Sequence, residues 1–540
     1  MATYNSFYEA QLMIDEEIAD LTARMQESIR LLKARRNELA PVTKLPDEIL
    51  FQIFVIFQDS IDLQHRQWQQ IAHVCRYWRH VAVGSPSLWT RLHNPPHALT
   101  QLMLERSKNA PLDVALTGMW LKKTILTGTL AIILQAIERI RTIKFEVMPF
   151  SVLDTVHDIF AGLDRDWEAS SLETLIIGAE VQQGPPPASV RVVTNVFRST
   201  SLLRRLSVKY GYYNWGMLPL PSLTHLDLRG MSLGNVSGAH LIETLRQMPN
   251  LKTLKINWKN MNIHQFPPTP HPQPIHLPCL QTLKIFDSHQ AHLELFLSLI
   301  VLPKLHQLVA DPDPVNDVVT FTNMILSLIR KANFGPLEFF SIKRQDVMIS
   351  TSPGANIYND DETSSFINIY IVPDDEDALD DDCTRFEFVA DILSCITLLD
   401  CPDKIPLRYI SLDCLDAPVG QFTHLFSRLP HLETIEVRQH LGLVLFEALD
   451  VTSYISSGAT PSAPIPFPKL SSITWNGKAH QYSSSIPMLS LAVFNNLYNS
   501  LLSRYDISVP SITLKLVDCG HLDDAQVHQF QEIGVKIVVS

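Results

Sequence analysis

A short phrase of apolar residues, spaced apolar-x-x-apolar-x-apolar, recurs along most of this 540-residue chain. It is clearest in PSLTHLDL, PNLKTLKI and PCLQTLKI, whose first leucines are Leu223, Leu251 and Leu280. The last two apolar residues of each copy lie two positions apart and therefore point to the same face of a β-strand. Such a strand cannot bury its apolar face alone, so neighbouring copies have to stack on a common core.

Thirteen copies of the phrase can be traced, with uneven spacing. Those at Leu223, Leu251, Leu280 and Leu305 lie 28, 29 and 25 residues apart. These gaps are close to the leucine-rich period of roughly 20–29 residues. A closed α/β barrel requires eight regular units, so thirteen uneven copies favour an open solenoid. The copies begin at Ile140, Leu172, Leu203, Leu223, Leu251, Leu280, Leu305, Leu337, Phe366, Leu407, Leu432, Leu470 and Val509.

The predicted fold class is therefore α/β, with parallel strands inside and helices outside in a solenoid over residues 110–540. The asparagine position of strict leucine-rich repeats is mostly missing, which predicts an irregular variant. Helices are predicted between the copies, for example at Ala239–Met248, His292–Leu302, Thr320–Lys331 and Gly420–Leu429. Between the buried positions of each strand, polar residues are expected to point outward. Candidate target-binding residues in this row are Asp227, Lys255, Lys284 and Glu436, with ordinary solvated strand surface as an equal alternative.

The net charge of −12 comes mostly from one insert rather than from the whole chain. Residues 360–387 hold eleven acids and one base, so they contribute −10 and the rest of the chain contributes −2. We expect this acidic insert, near residues 358–385, to be a solvated loop. The chain has no basic stripe of the kind that binds nucleic acid, and we expect neither nucleic acid nor a membrane as a partner.

The amino-terminal residues lack the basic and apolar regions of a secretory signal, and no apolar stretch approaches the roughly 20 residues that span a bilayer. The seven cysteines contain no CxxC pair, which predicts reduced thiols and neither a metal site nor a cofactor. These features predict a cytoplasmic or nuclear protein.

Residues 1–43 are predicted to form an amphipathic helix. Ile14, Ile18 and Leu21 begin an apolar stripe that continues towards Pro41, where the helix ends. A stable coiled coil requires two apolar seam positions, and Ser28 and Arg35 interrupt one of them. We therefore expect the helix to pack on the rest of the chain, with a short, weak self-association as the alternative.

The stretch LPDEILFQIF predicts the start of another helix, because its proline suits the first helical position and its two acids suit the helix dipole. Ile49, Ile53 and Phe57 recur every four residues, with Leu50 and Phe54 on an adjoining stripe. A helix with two apolar stripes has to bury two surfaces. We expect one to face its own domain and the other to face a partner.

A second helical face follows, with Ile71, Val74 and Trp78 at helical spacing, and the segment SPSLW then ends at Trp89. In order and spacing, LPDEIL-x-x-IF, VCR-x-WR-x-x-A and LW resemble the F-box over residues 44–92. The resemblance is to F-box-like proteins with a carboxyl-terminal, irregular leucine-rich repeat region, a kind abundant in mushroom-forming fungi.

In that family, the F-box is a small helical bundle that docks on a Skp-type adaptor and, through it, on a cullin. This chain departs from the family pattern at residues 58–67, which are mostly polar where the family usually has leucines. The resemblance implies adaptor contacts at Leu45, Pro46, Ile49, Ile53 and Phe54. It also implies that the bundle is built, or the interface completed, by Val74, Cys75, Trp78 and Trp89.

The function implied by the resemblance is that of the substrate-recognition subunit of a Skp–cullin–F-box ubiquitin ligase, with an unknown target on the solenoid. The chain itself is then not an enzyme. One alternative is a leucine-rich protein-binding scaffold that recruits no ligase. A second alternative is a hydrolase, because GMSLG around Ser232 matches G-x-S-x-G, but no acid or histidine stands out as its partner.

Overall fold

The computed structural model of this chain divides into two compact units, Met1–Leu203 and Arg204–Ser540. It describes residues 2–60, 66–117, 123–149, 169–179, 201–209, 220–229, 238–258, 273–312, 317–332, 334–343, 346–352, 364–370, 389–395, 405–413, 418–427, 429–438, 441–451, 465–477, 491–506, 511–519 and 522–539. The domain limits expected from the sequence remain predictions.

The first unit begins with helices and continues into short strands. Its helices are α1 (Ala2–Glu38), α2 (Asp47–Ser60), α3 (Ile71–Val74), α4 (Arg76–Gly84), α5 (His97–Ser107) and α6 (Lys123–Leu134). Its strands are β1 (Arg91–His93), β2 (Leu112–Thr117), β3 (Ile140–Met148) and β4 (Thr174–Ala179). Single 3₁₀ turns cover Pro41–Lys44, Arg66–Gln70, Pro86–Trp89 and Ile137–Arg139.

Strands β1 to β4 pair in chain order and all run parallel. Their register aligns one apolar side chain from each strand in a row: Leu92, Val114, Ile143 and Leu175. These four side chains are buried. Helix α5 connects β1 to β2 and helix α6 connects β2 to β3, as parallel pairing requires.

The second unit alternates strands and helices. Its strands are β5 (Arg205–Lys209), β6 (His225–Arg229), β7 (Thr253–Asn257), β8 (Ile275–His276), β9 (Thr282–Ser288), β10 (Ile300–Val301), β11 (Gln307–Pro312), β12 (Phe339–Lys343), β13 (Asp346–Ser350), β14 (Phe366–Tyr370), β15 (Tyr409–Asp413), β16 (Thr434–Arg438), β17 (Ser472–Asn476), β18 (Thr513–Val517) and β19 (Lys536–Val539). Its helices are α7 (Gly238–Arg246), α8 (Gln290–Leu299), α9 (Val318–Lys331), α10 (Val419–Phe426), α11 (Leu441–Leu449), α12 (Leu491–Asp506) and α13 (Asp524–Glu532).

Most strands of the second unit form a parallel sheet that follows the chain, and β8 and β10 form a separate parallel pair. The repeated phrase occupies equivalent positions in successive strands, which aligns its middle apolar residue across the sheet. This buried row comprises Leu206, Leu226, Leu254, Leu283 and Leu308. The α/β class is confirmed, with a helical amino-terminal segment followed by a mostly parallel sheet and helices consistent with a solenoid.

The sheet departs from chain order in its middle. There the spatial order is β11–β14–β13–β12–β15, and β13 is antiparallel to both of its neighbours. Residues 344–345 alone separate β12 from β13. A connection this short can join antiparallel neighbours, whereas parallel neighbours need a longer crossover. The chain therefore turns back after β12, and β13 pairs with it antiparallel. The strands β11, β14, β12 and β15 therefore all run in the predicted parallel direction, but β12 and β14 have exchanged places relative to chain order.

The helices between strands lie close to their predicted places. The one predicted at Thr320–Lys331 is α9, and its first turn is capped because the Asp317 side chain accepts a hydrogen bond from the Thr320 amide at 3.0 Å. The last helix, α13, begins with a capping box between Asp523 and Gln526. The sequence thus placed α7, α8, α9 and α10 to within a few residues.

The row predicted to point into solvent is instead buried over its first half. Asp227, Lys255 and Lys284 lie side by side on β6, β7 and β9 and are 9%, 5% and 3% exposed. Long side chains on strands about 4.8 Å apart cover one another, which removes water from the row. The Asp227 carboxylate also accepts two hydrogen bonds from Arg229, at 2.7 and 2.8 Å. The expectation of exposed positions is wrong for these three residues.

The second half of the same row is more open. Glu436 lies between Ser411 and Thr474, and all three side chains are half-buried. The Tyr409 hydroxyl donates a hydrogen bond to the Glu436 carboxylate. Burial, together with this bond, raises the pKa of Tyr409 above its usual value. Glu436 is therefore the candidate target-binding residue that remains accessible.

The amino-terminal helix α1 does not pack on the chain as expected. Every side chain from Phe7 to Lys33 is exposed, including the apolar stripe. Partial burial begins only at Ala34 and Asn37, near the carboxyl end of the helix. Within the part of the chain that the structure describes, nothing therefore covers the apolar face of this helix.

Two predictions fall outside the described residues. The structure describes residues 364–370 of the acidic stretch but not 353–363 or 371–388, and Ser232 lies in the undescribed range 230–237. Among the described residues, no helix is long and apolar enough to cross a membrane, and no cluster of three or more His, Cys, Asp or Glu side chains is arranged to hold a metal ion. Four cysteines are described, and all are free: Cys75, Cys279, Cys395 and Cys519.

Candidate functional site

Helix α2 places two apolar stripes on two different surfaces. Leu50 and Phe54 are fully buried, whereas Ile49 and Ile53 are 42% and 40% exposed. Four residues advance a helix by slightly more than one turn, so each pair forms a stripe along the axis. The two stripes predicted from the sequence are therefore present, one inside the bundle and one outside.

The buried stripe packs against aromatic rings from the following helices. The rings of Phe54 and Trp78 lie 5.1 Å apart, and those of Trp68 and Trp89 lie 5.1 Å apart in an edge-on arrangement. Trp89 is 2% exposed, and its indole nitrogen donates to the Ala82 carbonyl at 2.8 Å. Such aromatic pairs bury large areas and fix ring orientations, so they hold the bundle together.

Polar contacts secure the ends of the bundle helices. The Tyr77 hydroxyl lies 2.8 Å from the Leu45 carbonyl and 2.7 Å from the Asp47 carboxylate, where it can donate to either. The bond to Asp47 raises the pKa of Tyr77 above its usual value. At the start of α4, the Trp78 amide donates to the Cys75 sulfur at 3.4 Å. The first turns of α2 and α4 are thereby linked within one bundle.

The outer face of α2 carries four large apolar side chains that are partly exposed. We call this set the α2 stripe. It consists of Ile49 (42% exposed), Ile53 (40%), Ile56 (67%) and Phe57 (39%). Consecutive members lie one to four residues apart on one side of the helix. An apolar stripe on a small polar domain is typical of a protein-binding surface.

A cleft of about 610 Å³ lies between the end of α1 and the junction of α3 and α4. Its walls include Arg30 and Lys33 from α1 and Val74, Cys75 and Arg76 from the junction. Val74 is 56% exposed. The last turns of α1 therefore border the bundle, with positive charge on both walls.

The structure separates the nine residues predicted for the adaptor surface into three groups. Pro46, Ile49, Ile53 and Val74 are exposed, and Leu45, Cys75 and Trp78 are half-buried. Phe54 and Trp89 are buried in the bundle. Phe54 was expected to face the adaptor, but it packs on Trp78 because it lies on the inner stripe of α2.

Two exposed residues were not among the nine assigned to the adaptor, although the sequence already placed Phe57 on one stripe with Ile49 and Ile53. Ile56 and Phe57 extend the outer stripe by another turn beyond Ile53. Their helical spacing from Ile49, seven and eight residues, was the signal that identifies them.

A family model described as F-box-like matches residues 42–95. This part of the chain is therefore an F-box-like domain, and its limits differ by two and three residues from the predicted 44–92. A search among curated proteins finds no match to the chain. An F-box-like domain supports a role in protein–protein interaction or as a ubiquitin ligase adaptor, and F-box domains generally bind Skp-type adaptors. The leucine-rich repeat identity of the second unit and the fungal type remain predictions.

Proposed function

We propose that this chain is the substrate-recognition subunit of a Skp–cullin–F-box ubiquitin ligase. The observation that carries the proposal is the exposed α2 stripe on a domain that matches the F-box-like family. Burying the exposed part of each of these side chains in an interface would contribute about 1 kcal/mol. Ile49 and Ile53 form the centre of the proposed adaptor contact, and Pro46 and Val74 extend it.

The second unit would hold the target protein. Its aligned strands form an extended surface, and the row from β15 to β18 is the part with accessible side chains, including Glu436 and the exposed Lys515. Asp227, Lys255 and Lys284 remain predicted target contacts, but their burial favours Glu436 as the first to test.

In this function the chain does no chemistry itself. Holding a target beside the ligase core raises the effective concentration of the reacting groups, and the core transfers ubiquitin. We accordingly propose a non-enzymatic protein that acts in the cytoplasm or nucleus and needs no cofactor.

Co-purification of the full chain with a Skp-type adaptor tests the proposal. The paired change Ile49→Asp and Ile53→Asp should abolish adaptor binding, because it places charges in an apolar interface, and should leave the unfolding temperature nearly unchanged. The control is His80→Asp, an exposed position on α4. Adaptor binding that survives the paired change, or a wild-type chain that does not bind, would overturn the proposed interface.

A scaffold that recruits no ligase is the second candidate. The observation in its favour is the polar segment after the α2 stripe, where Asp59 and Ser60 are exposed. A leucine at such a place would offer an apolar contact to an adaptor, and these polar side chains do not. A wild-type chain that captures target proteins but no adaptor would favour the scaffold.

A further inference from the structure

The amino-terminal helix α1 is 37 residues long and exposes its apolar stripe to water. Ile14 is 57% exposed, Ile18 is 55% exposed and Leu32 is 67% exposed. Most helical stability in proteins comes from packing of an apolar face, so a covering surface is expected here. The occupant can be inferred from the charges and the spacing within the helix itself.

The two halves of α1 carry opposite charges. Residues 2–20 contain five acids and no base, whereas residues 21–38 contain five bases and two acids. Two such helices attract each other when they lie antiparallel, since each acidic half then faces a basic half. In a parallel pair, like charges would face each other along both halves.

We propose that α1 binds α1 of a second copy of this chain as an antiparallel two-helix coiled coil. In one alignment of the two antiparallel helices, apolar seam residues of one copy face apolar seam residues of the other. Phe7 faces Leu32, Ile14 faces Met25, and Ile18 faces Leu21, each pair occurring twice by symmetry.

The same alignment accounts for Ser28, one of the two residues that interrupt the seam. Ser28 lies opposite Gln11, so the polar residues face each other instead of apolar partners. Beside the seam, Glu17 lies opposite Arg24, and Tyr8 lies opposite Ile29. A parallel pair would place Ser28 against Ser28 and Arg35 against Arg35, which leaves one polar layer and one like-charged layer in the seam.

This arrangement is compatible with adaptor binding at both ends of the pair. Each F-box-like domain follows the carboxyl end of its own α1, and antiparallel helices place those ends on opposite sides. A helix of this length spans roughly 55 Å, so the two F-box-like domains would be far apart. The proposal does not depend on the ligase function, because self-association requires no adaptor.

The first test measures the mass of the full chain by size-exclusion chromatography with light scattering. The wild type is expected to be a dimer, and the paired change Ile18→Lys and Leu21→Lys is expected to give a monomer. The matched control, Ala19→Lys with Ala23→Lys, adds the same charge on the opposite face of α1 and should remain dimeric. A monomeric wild type, or a dimer that survives the seam change, would refute the proposal.

The second test distinguishes the two orientations. Glu17→Arg and Arg24→Glu should each weaken the dimer about 10-fold, because like charges then face each other at two symmetric places. Combined, the two changes should restore wild-type affinity, which sedimentation analysis would measure. A parallel dimer does not bring these residues together, so the absence of rescue in the combined variant would reject the antiparallel pair.

Discussion

Neighbouring residues of α2 have different roles because a helix turns by about 100° per residue. Phe54 is fully buried and lies on the Trp78 ring, whereas the side chain beside it in the sequence, Ile53, is 40% exposed. Both were assigned to the adaptor surface from the family resemblance. Phe54 packs inside the bundle, whereas Ile53 lies on its exposed outer face and remains a predicted adaptor contact.

Phe54→Ala should lower the free energy of unfolding of the first unit by about 3–5 kcal/mol, since it leaves a cavity beside Trp78. Ile53→Ala should lower it by less than about 1 kcal/mol, because this side chain is partly in water already. Denaturant titration followed by tryptophan fluorescence measures both values. Equal losses for the two variants would contradict the assignment of inner and outer stripes.

Tyr77→Phe should lower the same free energy by about 1 kcal/mol, because it removes the hydroxyl that bonds to Leu45 or Asp47 at the start of α2. Thermal unfolding of the two proteins measures the difference. Tyr505, which is 53% exposed on α12, provides the control, and Tyr505→Phe should have little effect. A loss as large at Tyr505 would show that the Tyr77 hydroxyl has no special role.

At the scale of elements, close approach of α11 to β17 depends on one glycine. A Cβ at Gly442 would lie 2.4 Å from the Trp475 indole nitrogen. Trp475 is 1% exposed and packs edge-on against Phe446, with ring centroids 5.2 Å apart. The helix can therefore lie against the tryptophan only because residue 442 has no side chain.

Gly442→Ala should destabilise the second unit by about 1–3 kcal/mol, since Trp475 has no free space into which it can move. Gly420→Ala is the matched control, because a Cβ at that exposed helical position meets nothing within 4 Å. This control should be neutral or stabilising by up to about 1 kcal/mol. Equal destabilisation by both changes, measured by denaturant titration, would show that crowding at Trp475 is not the cause.

A buried arginine fixes the segment that leads into β17. The Arg504 guanidinium, 2% exposed, donates to the carbonyls of Pro466 and Phe467 at 2.8 and 2.9 Å. Phe467 has a φ of +55°, a strained conformation for a residue with a bulky side chain. The two hydrogen bonds hold this turn in place.

Arg504→Lys should lower the free energy of unfolding by about 1.5–3 kcal/mol, because an ammonium cannot match the planar fork that reaches both carbonyls. Arg330→Lys, at an exposed position on α9, is the control and should change it by less than about 0.5 kcal/mol. Unfolding curves in urea give both values. A tolerated Arg504→Lys would mean that one donor is enough.

At the scale of the whole molecule, stability is spread over contacts between neighbouring strands. Most strands of the second unit pair only with the strand on either side, so the loss of one pairing leaves distant ones intact. A chain of this kind need not unfold in one step.

Calorimetry of the full chain should therefore give a calorimetric enthalpy of unfolding larger than the van't Hoff enthalpy, because parts of the molecule unfold separately. Gly442→Ala should shift the part of the transition that involves the second unit, while Phe54→Ala should shift the part that involves the bundle. Equal enthalpies, and one transition that moves as a whole in both variants, would indicate a single cooperative structure.

The sequence by itself determined the local features of this protein. Period-2 spacing in the phrase placed β6, β7 and β9, and helical spacing separated the two stripes of α2, because these patterns depend only on which face of an element a side chain occupies. The family resemblance likewise identified the F-box-like domain, which the family model matches at residues 42–95.

Only the tertiary structure decided what covers each surface. The burial of Lys255 and Lys284, the return of the chain through β13 and the exposure of α1 all depend on residues distant in sequence. The charge and hydrophobicity of a side chain show what it prefers, whereas burial depends on which neighbours the chain brings to it. For that reason the sequence predicted the two faces of α2, and the packing showed which one is available to a partner.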